Sequence, residues 1–212
     1  SMTYDPLISR GVSSMLPAAN SYWHATHKPP TMPPLNKKVN TEYLVIGGGY
    51  TGLSAAITLA QAKQEVTLLD ANSPGFGCAG RNGGFILSGS GRLSLSAIED
   101  KWGRDIAKAM QGEFDGAVHL LKQRIADFDM QVDLVEGPYL KLAHSPKQAE
   151  LLRASAKHLE SHFNVPSSPL SEKDLIARFG IEGAYGGVEL TGACLHPLKL
   201  VSEYARVAKE LG

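Results

Sequence analysis

The sequence is poor in cysteine, has no excess of either charge and contains no long apolar run. Its two cysteines, Cys78 and Cys194, lack C-x-x-C spacing, which excludes a disulfide framework and a cysteine-based zinc site and is typical of a reducing compartment. Lysine plus arginine and aspartate plus glutamate balance at 21 each, so bulk charge does not indicate a nucleic-acid partner. No apolar run approaches the roughly 18 residues of a membrane span. No secretory signal is recognisable either, and we expect a cytoplasmic, globular protein.

The most informative segment is TEYLVIGGGYTGLSAAITLAQAKQEVTLLD, residues 41–70. It shows a β-branched apolar run, a glycine turn, a small-residue helical stretch, a second apolar run and a terminal acid, in that order. This order predicts a dinucleotide-binding βαβ unit, whereas the glycine pattern alone would be weak evidence. The alternative is a glycine-rich turn in an ordinary α/β domain. The turn glycines are Gly47, Gly49 and Gly52, and the acid is Asp70.

Each of these residues has a physical role in such a site. Gly47 permits the tight turn, Gly49 allows the backbone to approach a pyrophosphate, and Gly52 lets the helix pack on the strand. The helix start offers free N–H groups and a positive dipole end to the phosphates. Asp70 follows Gly52 by 18 residues, about where a carboxylate accepts hydrogen bonds from a ribose.

A second glycine-rich loop favours FAD over NAD. After the ribose-binding acid, an NAD domain proceeds to its next βα unit, but this chain continues as GFGCAGRNGG, residues 75–84. Successive glycines let backbone N–H groups face an anion or a flat ring. Arg81 adds a fixed charge with bidentate reach, and Asn82 adds a donor and an acceptor. An NAD(P)-dependent dehydrogenase stays as an alternative.

The flanking segments have their own patterns. Residues 1–40 are proline-rich, which predicts an extended arm without regular helix, anchored by Tyr22 and Trp23. After the loop we predict a short helix ending near 100–104 and a long helix with an apolar stripe from Ile106 to Phe128. Two strands follow, at 131–135 and 139–143, joined by a Gly137-Pro138 turn. The remaining predicted elements are a helix from Ser145 to about 163, a helix from Ser171 to near Gly180, a strand at 184–191 and a helix at 197–211.

Several stretches together resemble a known family: SYWHATHKPP, YLVIGGGYTGLSAAITLA, VTLLDA, GRNGGF and AYGGVELTGACLHPLKLVSEYARVAKELG. The chain is similar, from about Ser21 to Gly212, to the FAD-dependent amine and amino-acid oxidoreductases of the D-amino-acid oxidase class. Within that class it most resembles the γ-glutamylputrescine oxidoreductase branch. Two positions depart from the family pattern, since Asp70 replaces a usual Glu and Ala79 replaces a usual serine.

The resemblance implies an α/β fold: a Rossmann-type FAD-binding βαβ unit (GR2-like, incomplete) with part of an α+β substrate domain. We divide the chain into an arm (1–40), the βαβ unit with its loop (41–95), a partial substrate domain (96–195) and a returning helix (196–212). Two parallel strands are too few for a stable doubly wound sheet, so we expect further strands beyond Gly212. An open sheet edge also favours a homo-oligomer.

The resemblance also implies the chemistry, which is oxidation of the C–N bond of a small amine or amino acid by hydride transfer to FAD, followed by reoxidation by oxygen or another acceptor. No catalytic residue and no metal site is assigned. A truncated, non-catalytic nucleotide-binding or interaction fragment stays as a second alternative. The candidate cofactor-binding residues are Gly47, Gly49, Tyr50, Thr51, Gly52, Asp70, Ala71, Gly80, Arg81, Asn82, Gly83 and Gly84.

Other reactive side chains have simpler interpretations. Cys78 in the glycine loop is interpreted as a small packing residue rather than a flavin attachment point. His196, before Pro197, is interpreted as a helix cap rather than a base. His158 and His162 are spaced i, i+4 on a predicted helix, but no third metal ligand is evident.

Overall fold

The computed structural model describes residues 20–212, which form two compact units. Of these residues, 20–84, 125–133 and 195–212 make the first unit, and 85–124 and 134–194 make the second. None of the helices found within these residues has both the length and the apolar character needed to cross a membrane.

The first unit contains the predicted βαβ motif. Strand β1 (Tyr43–Ile46) pairs in parallel with strand β2 (Val66–Leu69), and helix α2 (Tyr50–Gln61) connects them. The buried face of α2 follows the helical period, because its members are Leu53, Ala56, Ile57 and Ala60.

The last helix of the first unit is α7 (Pro197–Leu211), which packs against α2. Its buried apolar positions are Leu198, Leu200, Val201, Tyr204, Ala205 and Val207. The βαβ unit and the final helix were both predicted, and both are confirmed.

The N-terminal arm differs from the prediction. A short helix, α1 (Tyr22–Thr26), precedes the prolines, and the Ser21 hydroxyl accepts a hydrogen bond from the N–H of His24 at its start. The expectation of no regular helix is therefore wrong here, because the prolines constrain only the segment after His27. Trp23 is half-buried and is an anchor as predicted, whereas the Tyr22 side chain is 70% exposed. The first 19 residues of the predicted arm lie outside the described residues.

The second unit is built on an antiparallel sheet. Its strands are β3 (Phe85–Ile86), β4 (Val135–Leu142), β5 (Ser167–Leu170) and β6 (Gly187–Cys194), and β6 pairs with each of the others. A parallel βαβ start combined with an antiparallel sheet confirms the predicted fold class.

Two details of this sheet correct the sequence predictions. The predicted Gly137-Pro138 turn lies inside a single strand, β4, in which Pro138 is opposite Thr191. The predicted strand at 131–135 is wrong except for Val135, because residues 131–134 are not in a strand. Because β4 is at the edge of the sheet, its proline needs no ladder partner on the outer side. The last strand begins at Gly187 rather than 184, and the short strands β3 and β5 were not predicted.

The helices of the second unit are α3 (Leu95–Trp102), α4 (Arg104–Asp127, whose last three residues belong to the first unit), α5 (Pro146–Phe163) and α6 (Glu172–Phe179). The predicted break between the first two is confirmed at Gly103, which has a φ of +88°. The predicted stripe of α4 is largely confirmed, since Met110 and Phe114 pack against the buried cluster of Leu95, Ile98 and Ala107, whereas Ile106 is 49% exposed.

Predicted helix signals in this unit are confirmed. Ser145 caps α5 and Pro146 occupies its first turn. Ser171 and Asp174 form a reciprocal capping box at the start of α6, and Gly180 ends that helix in the left-handed region, with a φ of +65°.

We predict that the cap of α5 stabilises the second unit measurably. The Ser145 hydroxyl accepts a hydrogen bond of 3.2 Å from the N–H of Gln148, so Ser145→Ala should lower the free energy of unfolding by about 1 kcal/mol. Ser155→Ala is the matched control, because Ser155 is exposed in the same helix and alanine there should be neutral or slightly stabilising. Urea denaturation followed by circular dichroism measures both, and equal losses would contradict the prediction.

Candidate dinucleotide-binding site

The site begins at the turn between β1 and α2. Gly47 has a φ of +110°, which a residue with a side chain rarely adopts, and its N–H donates to the carbonyl of Leu69 at 2.7 Å. Helix α2 begins after Gly49, and its first internal bond joins the N–H of Leu53 to the carbonyl of Gly49. The N–H groups of the three preceding positions, which include the predicted Tyr50 and Thr51, have no partner inside the helix. This helix start therefore offers donors and a positive dipole end to an anion.

Two glycines of the turn have opposite surroundings. A methyl group at Gly52 would overlap the carbonyl oxygen of Gly47 and meet Val45 Cγ1 at 3.2 Å, so the helix sits directly against the turn. A methyl group at Gly49 would meet only Ala79 Cβ, at 3.8 Å. The space over Gly49 is therefore open at the helix start, as a bound pyrophosphate requires.

Asp70 lies at the end of β2 and faces the glycine turn. Its carboxylate accepts one hydrogen bond from the N–H of Gly48 at 2.6 Å and one from the N–H of Asn72 at 2.7 Å. Each carboxylate oxygen can accept a second bond, and both Asp70 and Ala71 are exposed. The acid is thus held in a fixed orientation and still has free acceptor capacity for hydroxyl groups.

The second glycine loop is attached to the first. The N–H of Gly75 donates to the carbonyl of Gly48 at 3.0 Å. Gly80 closes a single turn of 3₁₀ helix, Cys78–Gly80, and a side chain there would overlap the carbonyl of Gly75 and meet Leu198 Cδ1 at 2.8 Å. The two segments that the sequence predicted as cofactor contacts therefore form one continuous surface.

Asn82 holds the loop together rather than offering its amide to a ligand. Its side-chain nitrogen donates to the carbonyls of Ala79 at 2.9 Å and Cys78 at 3.2 Å, and its side-chain oxygen accepts from the N–H of Gly84 at 2.9 Å. A methyl group at Gly84 would overlap the carbonyl of Leu195. The conformation of the GRNGG segment is consequently fixed from both ends.

Arg81 and Gly83 are exposed, as is Asn82 between them. The Arg81 guanidinium lies 4.7 Å from the centre of the Phe76 ring, so a cation–π contact orients it, and it forms no ion pair within residues 20–212. Its charge therefore remains available to a ligand.

Tyr50 and Thr51 differ in role although both were predicted as site residues. The Tyr50 hydroxyl donates to the carbonyl of Pro197 at 3.1 Å, which ties α2 to α7. Burial, the largest effect, raises the pKa of Tyr50, so the phenol is a neutral donor at physiological pH. Thr51 is exposed at the helix start.

The other reactive side chains are placed as follows. Cys78 is exposed, whereas we expected a packed side chain, and Cys194 is half-buried. His196 is confirmed as a cap, because its Nδ1 accepts from the N–H of Lys199 at 3.2 Å. His158 and His162 stack at 4.1 Å, and within residues 20–212 no group of three or more His, Cys, Asp or Glu side chains is arranged to hold a metal ion.

A cavity of about 380 Å³ lies in the second unit. It is polar, and the charged or titratable side chains that line it are Lys108, Asp115, Glu160 and His162. None of the candidate site residues contributes to it.

Sequence reasoning missed a hydrogen bond between the N-terminal arm and the GRNGG loop. The Trp23 indole N–H donates to the carbonyl of Asn82 at 2.9 Å, across 59 residues of sequence. The aromatic residue was recognisable as an anchor, but no local pattern indicates which backbone atom it reaches.

A strand, a glycine turn, a helix start and a terminal acid in this order are the features of the βαβ class of units that bind dinucleotides. Residues 42–212 match the family described as FAD dependent oxidoreductase (DAO). The chain belongs to this family.

Individual relatives agree with the family. The chain is 32% identical to gamma-glutamylputrescine oxidoreductase of Escherichia coli (strain K12) over 78% of its own length and 39% of the relative. It is 30% identical to probable oxidoreductase OrdL of Rhizobium meliloti (strain 1021) over 100% of its length and 48% of the relative. The crystal structure of glycine oxidase from Geobacillus kaustophilus superposes with a TM-score of 0.67 at 18% identity, covering 81% of this chain and 45% of that one. The chain thus spans less than half the length of each of these proteins.

We predict that Gly52→Ala destabilises the first unit. Its methyl group would overlap the Gly47 carbonyl, and overpacking of this kind costs about 1–3 kcal/mol. Gly116→Ala is the matched control, because Gly116 is an exposed position of α4 where a methyl group meets nothing. It should raise the free energy of unfolding by up to about 1 kcal/mol. Urea denaturation measures the free energy of unfolding of both variants. An unchanged value for Gly52→Ala would show that the close contact does not require glycine.

Proposed function

We propose that this chain carries the dinucleotide-binding part of an FAD-dependent oxidoreductase that oxidises the C–N bond of a small amine or amino acid. The observation that supports it most is the open space over Gly49 at the start of α2, next to the oriented carboxylate of Asp70. The family assignment favours FAD over NAD(P). Two of the similar proteins, gamma-glutamylputrescine oxidoreductase and glycine oxidase, have names that suggest an amine or amino acid as the substrate.

The residues present fit the two ends of FAD in different ways. The free N–H groups at the start of α2 would bind the pyrophosphate, and Gly49 would let it approach the backbone. Asp70 would accept hydrogen bonds from the adenosine ribose, and Ala71 would lie beside it. The loop from Gly80 to Gly84 would extend towards the flavin ring, with Arg81 as its positive charge.

When bound, FAD supplies a two-electron acceptor for hydride, which protein side chains do not carry. In the proposed reaction the carbon of the C–N bond loses a hydride, the nitrogen loses a proton to water, and an imine is left. The chain's residues bind and orient in this scheme, and no described side chain is assigned as a base. A neutral amine held in a shielded position reacts without one, since orientation supplies most of the advantage.

The first test is a visible absorption spectrum of the purified protein before and after heat denaturation, with and without added FAD. A yellow protein that releases FAD is expected, and reduction of its visible bands by an amine from a panel would identify the substrate class. Release of a nicotinamide nucleotide instead would support the dehydrogenase alternative. A colourless protein that takes up no FAD would support a non-catalytic fragment.

We further predict that Gly49→Ala weakens FAD binding without unfolding the protein. Gly49 has a φ of −91°, which alanine adopts freely, and its methyl group has room in the free protein. That methyl group would occupy the space the pyrophosphate needs, so the Kd for FAD should rise on the order of tenfold or more. Quenching of flavin fluorescence on binding measures the Kd.

Gly116→Ala is the control here too, because it makes the same change in the second unit. It should bind FAD like the unaltered protein. Tight FAD binding by Gly49→Ala would place the pyrophosphate elsewhere and overturn the assignment of the glycine turn.

A further inference from the structure

The N-terminal arm contacts the part of the first unit that carries the GRNGG loop, Gly80 to Gly84, which we call the flavin-side loop after its proposed role. We use the term arm strap for residues 21–27, which comprise helix α1 with its two capping residues. Trp23 donates its indole N–H to the carbonyl of Asn82 at 2.9 Å, and its ring meets the His196 imidazole edge-on at 4.8 Å. One aromatic side chain therefore touches both the GRNGG loop and the start of α7.

Two imidazoles form further hydrogen bonds between the arm strap and helix α7. His196 Nε2 lies 2.9 Å from the Thr26 hydroxyl, and His27 Nε2 lies 2.9 Å from the Ser202 hydroxyl. The two imidazole rings are 5.8 Å apart. His196 is buried, being only 5% exposed, and Ser202 is 9% exposed.

The hydrogen-bond pattern fixes the protonation of His196. Its Nδ1 accepts from the N–H of Lys199, so this nitrogen carries no proton. The Thr26 hydroxyl donates to the carbonyl of Tyr22 at 2.7 Å and therefore accepts from His196 Nε2–H. Protonation of Nδ1 would break the cap of α7, so only the neutral imidazole satisfies both neighbours.

The same reasoning applies to His27. The Ser202 hydroxyl donates to the carbonyl of Leu198 at 2.8 Å, so it accepts from His27 Nε2–H. A second proton on His27 would place a positive charge beside His196 and near Lys199. The carboxylates nearest to the pair are Asp133, which binds the Lys199 ammonium at 2.7 Å, and Glu203.

We propose that the arm strap positions the flavin-side loop and that Trp23 is the positioning residue. The neutral imidazoles of His27 and His196 hold the strap in place through their hydrogen bonds, and protonation of these imidazoles at acid pH releases it. The part that concerns FAD rests on the proposed function. The part that concerns the loop rests on the contacts alone.

The direction of the pH dependence follows from the two histidines. Burial first, and then the Lys199 charge, lower the pKa of both His27 and His196. When the strap is undocked, His27 leaves its packed surroundings and returns to its ordinary pKa of about 6.5, and His196 loses the burial that the strap supplies and the charge of His27. Docking is then fully stabilised above about pH 6.5 and is weakened as the pH falls towards and through the lowered pKa values, because the undocked form binds more protons.

The first experiment compares Trp23→Phe with Trp102→Phe. Both remove one indole N–H and keep an aromatic ring, but Trp102 is 45% exposed in the second unit. Hydrogen exchange should become about two- to tenfold faster at the amides of Arg81 and Gly84 in Trp23→Phe, since one neutral hydrogen bond to the loop is lost. The Kd for FAD should rise by a similar factor, and Trp102→Phe should change neither.

The outcomes separate the two proposals. Faster exchange in Trp23→Phe combined with no FAD binding by the unaltered protein would support the positioning role and refute the FAD assignment. Unchanged exchange at both amides would refute the positioning role, whatever the protein binds. Faster exchange with an unchanged Kd for FAD would refute the claim that the strap acts on the cofactor site.

The second experiment tests the fastening in a Trp102→Phe background, where Trp23 is the only indole. Fluorescence of Trp23 should change on acidification with a midpoint below about pH 6.5, since an imidazolium quenches an indole that it contacts. His27→Asn with His196→Asn should abolish this change, because asparagine keeps a cap acceptor and a donor for Thr26 but does not titrate. Persistence of the transition in the double variant would show that the histidines are not the switch.

Discussion

The first unit depends on the close seating of helix α2 on the turn that precedes it. At Gly52 the helix lies so near the Gly47 carbonyl that no side chain fits between them. This contact fixes where the helix begins, and therefore where its free N–H groups and its positive dipole end are directed. Moving the helix by the width of a methyl group would move the whole set of donors away from the open space over Gly49.

Asp70 links that turn to the end of the parallel strand pair. Its carboxylate accepts hydrogen bonds from the N–H groups of Gly48 and Asn72, so the backbone of the turn orients the acid. Ligand hydroxyls would then add to an existing arrangement rather than create one, which lowers the ordering cost of binding. The aspartate side chain is long enough for this role, because it reaches the backbone of the turn from the end of the strand.

Local rules predicted the βαβ unit, the helix caps and the family-specific glycine loop, because each depends on neighbours within a few residues. They did not predict that Gly137 and Pro138 lie inside a strand, since a Gly-Pro pair is a strong turn signal unless the strand is at an edge. They also could not show that Asn82 uses its amide inside the loop. The bond between Thr26 and His196 joins residues 170 positions apart, and no periodicity or motif encodes such a pairing.

The stability of the glycine turn does not come from its sheet. Leu44 and Ile46 of β1 are 54% and 82% exposed, so the two-stranded pair contributes little burial of its own. The core of the first unit lies instead between α2 and α7, where Ile57 and Val201 are fully buried and where each such side chain contributes about 1.5–3 kcal/mol. Helix α7 also accepts the hydrogen bond of the Tyr50 hydroxyl through the Pro197 carbonyl, and its Ser202 side chain contacts the arm strap. The same helix therefore contacts both glycine segments, and within this chain the geometry of the candidate site depends on the pair of helices α2 and α7 more than on the two strands.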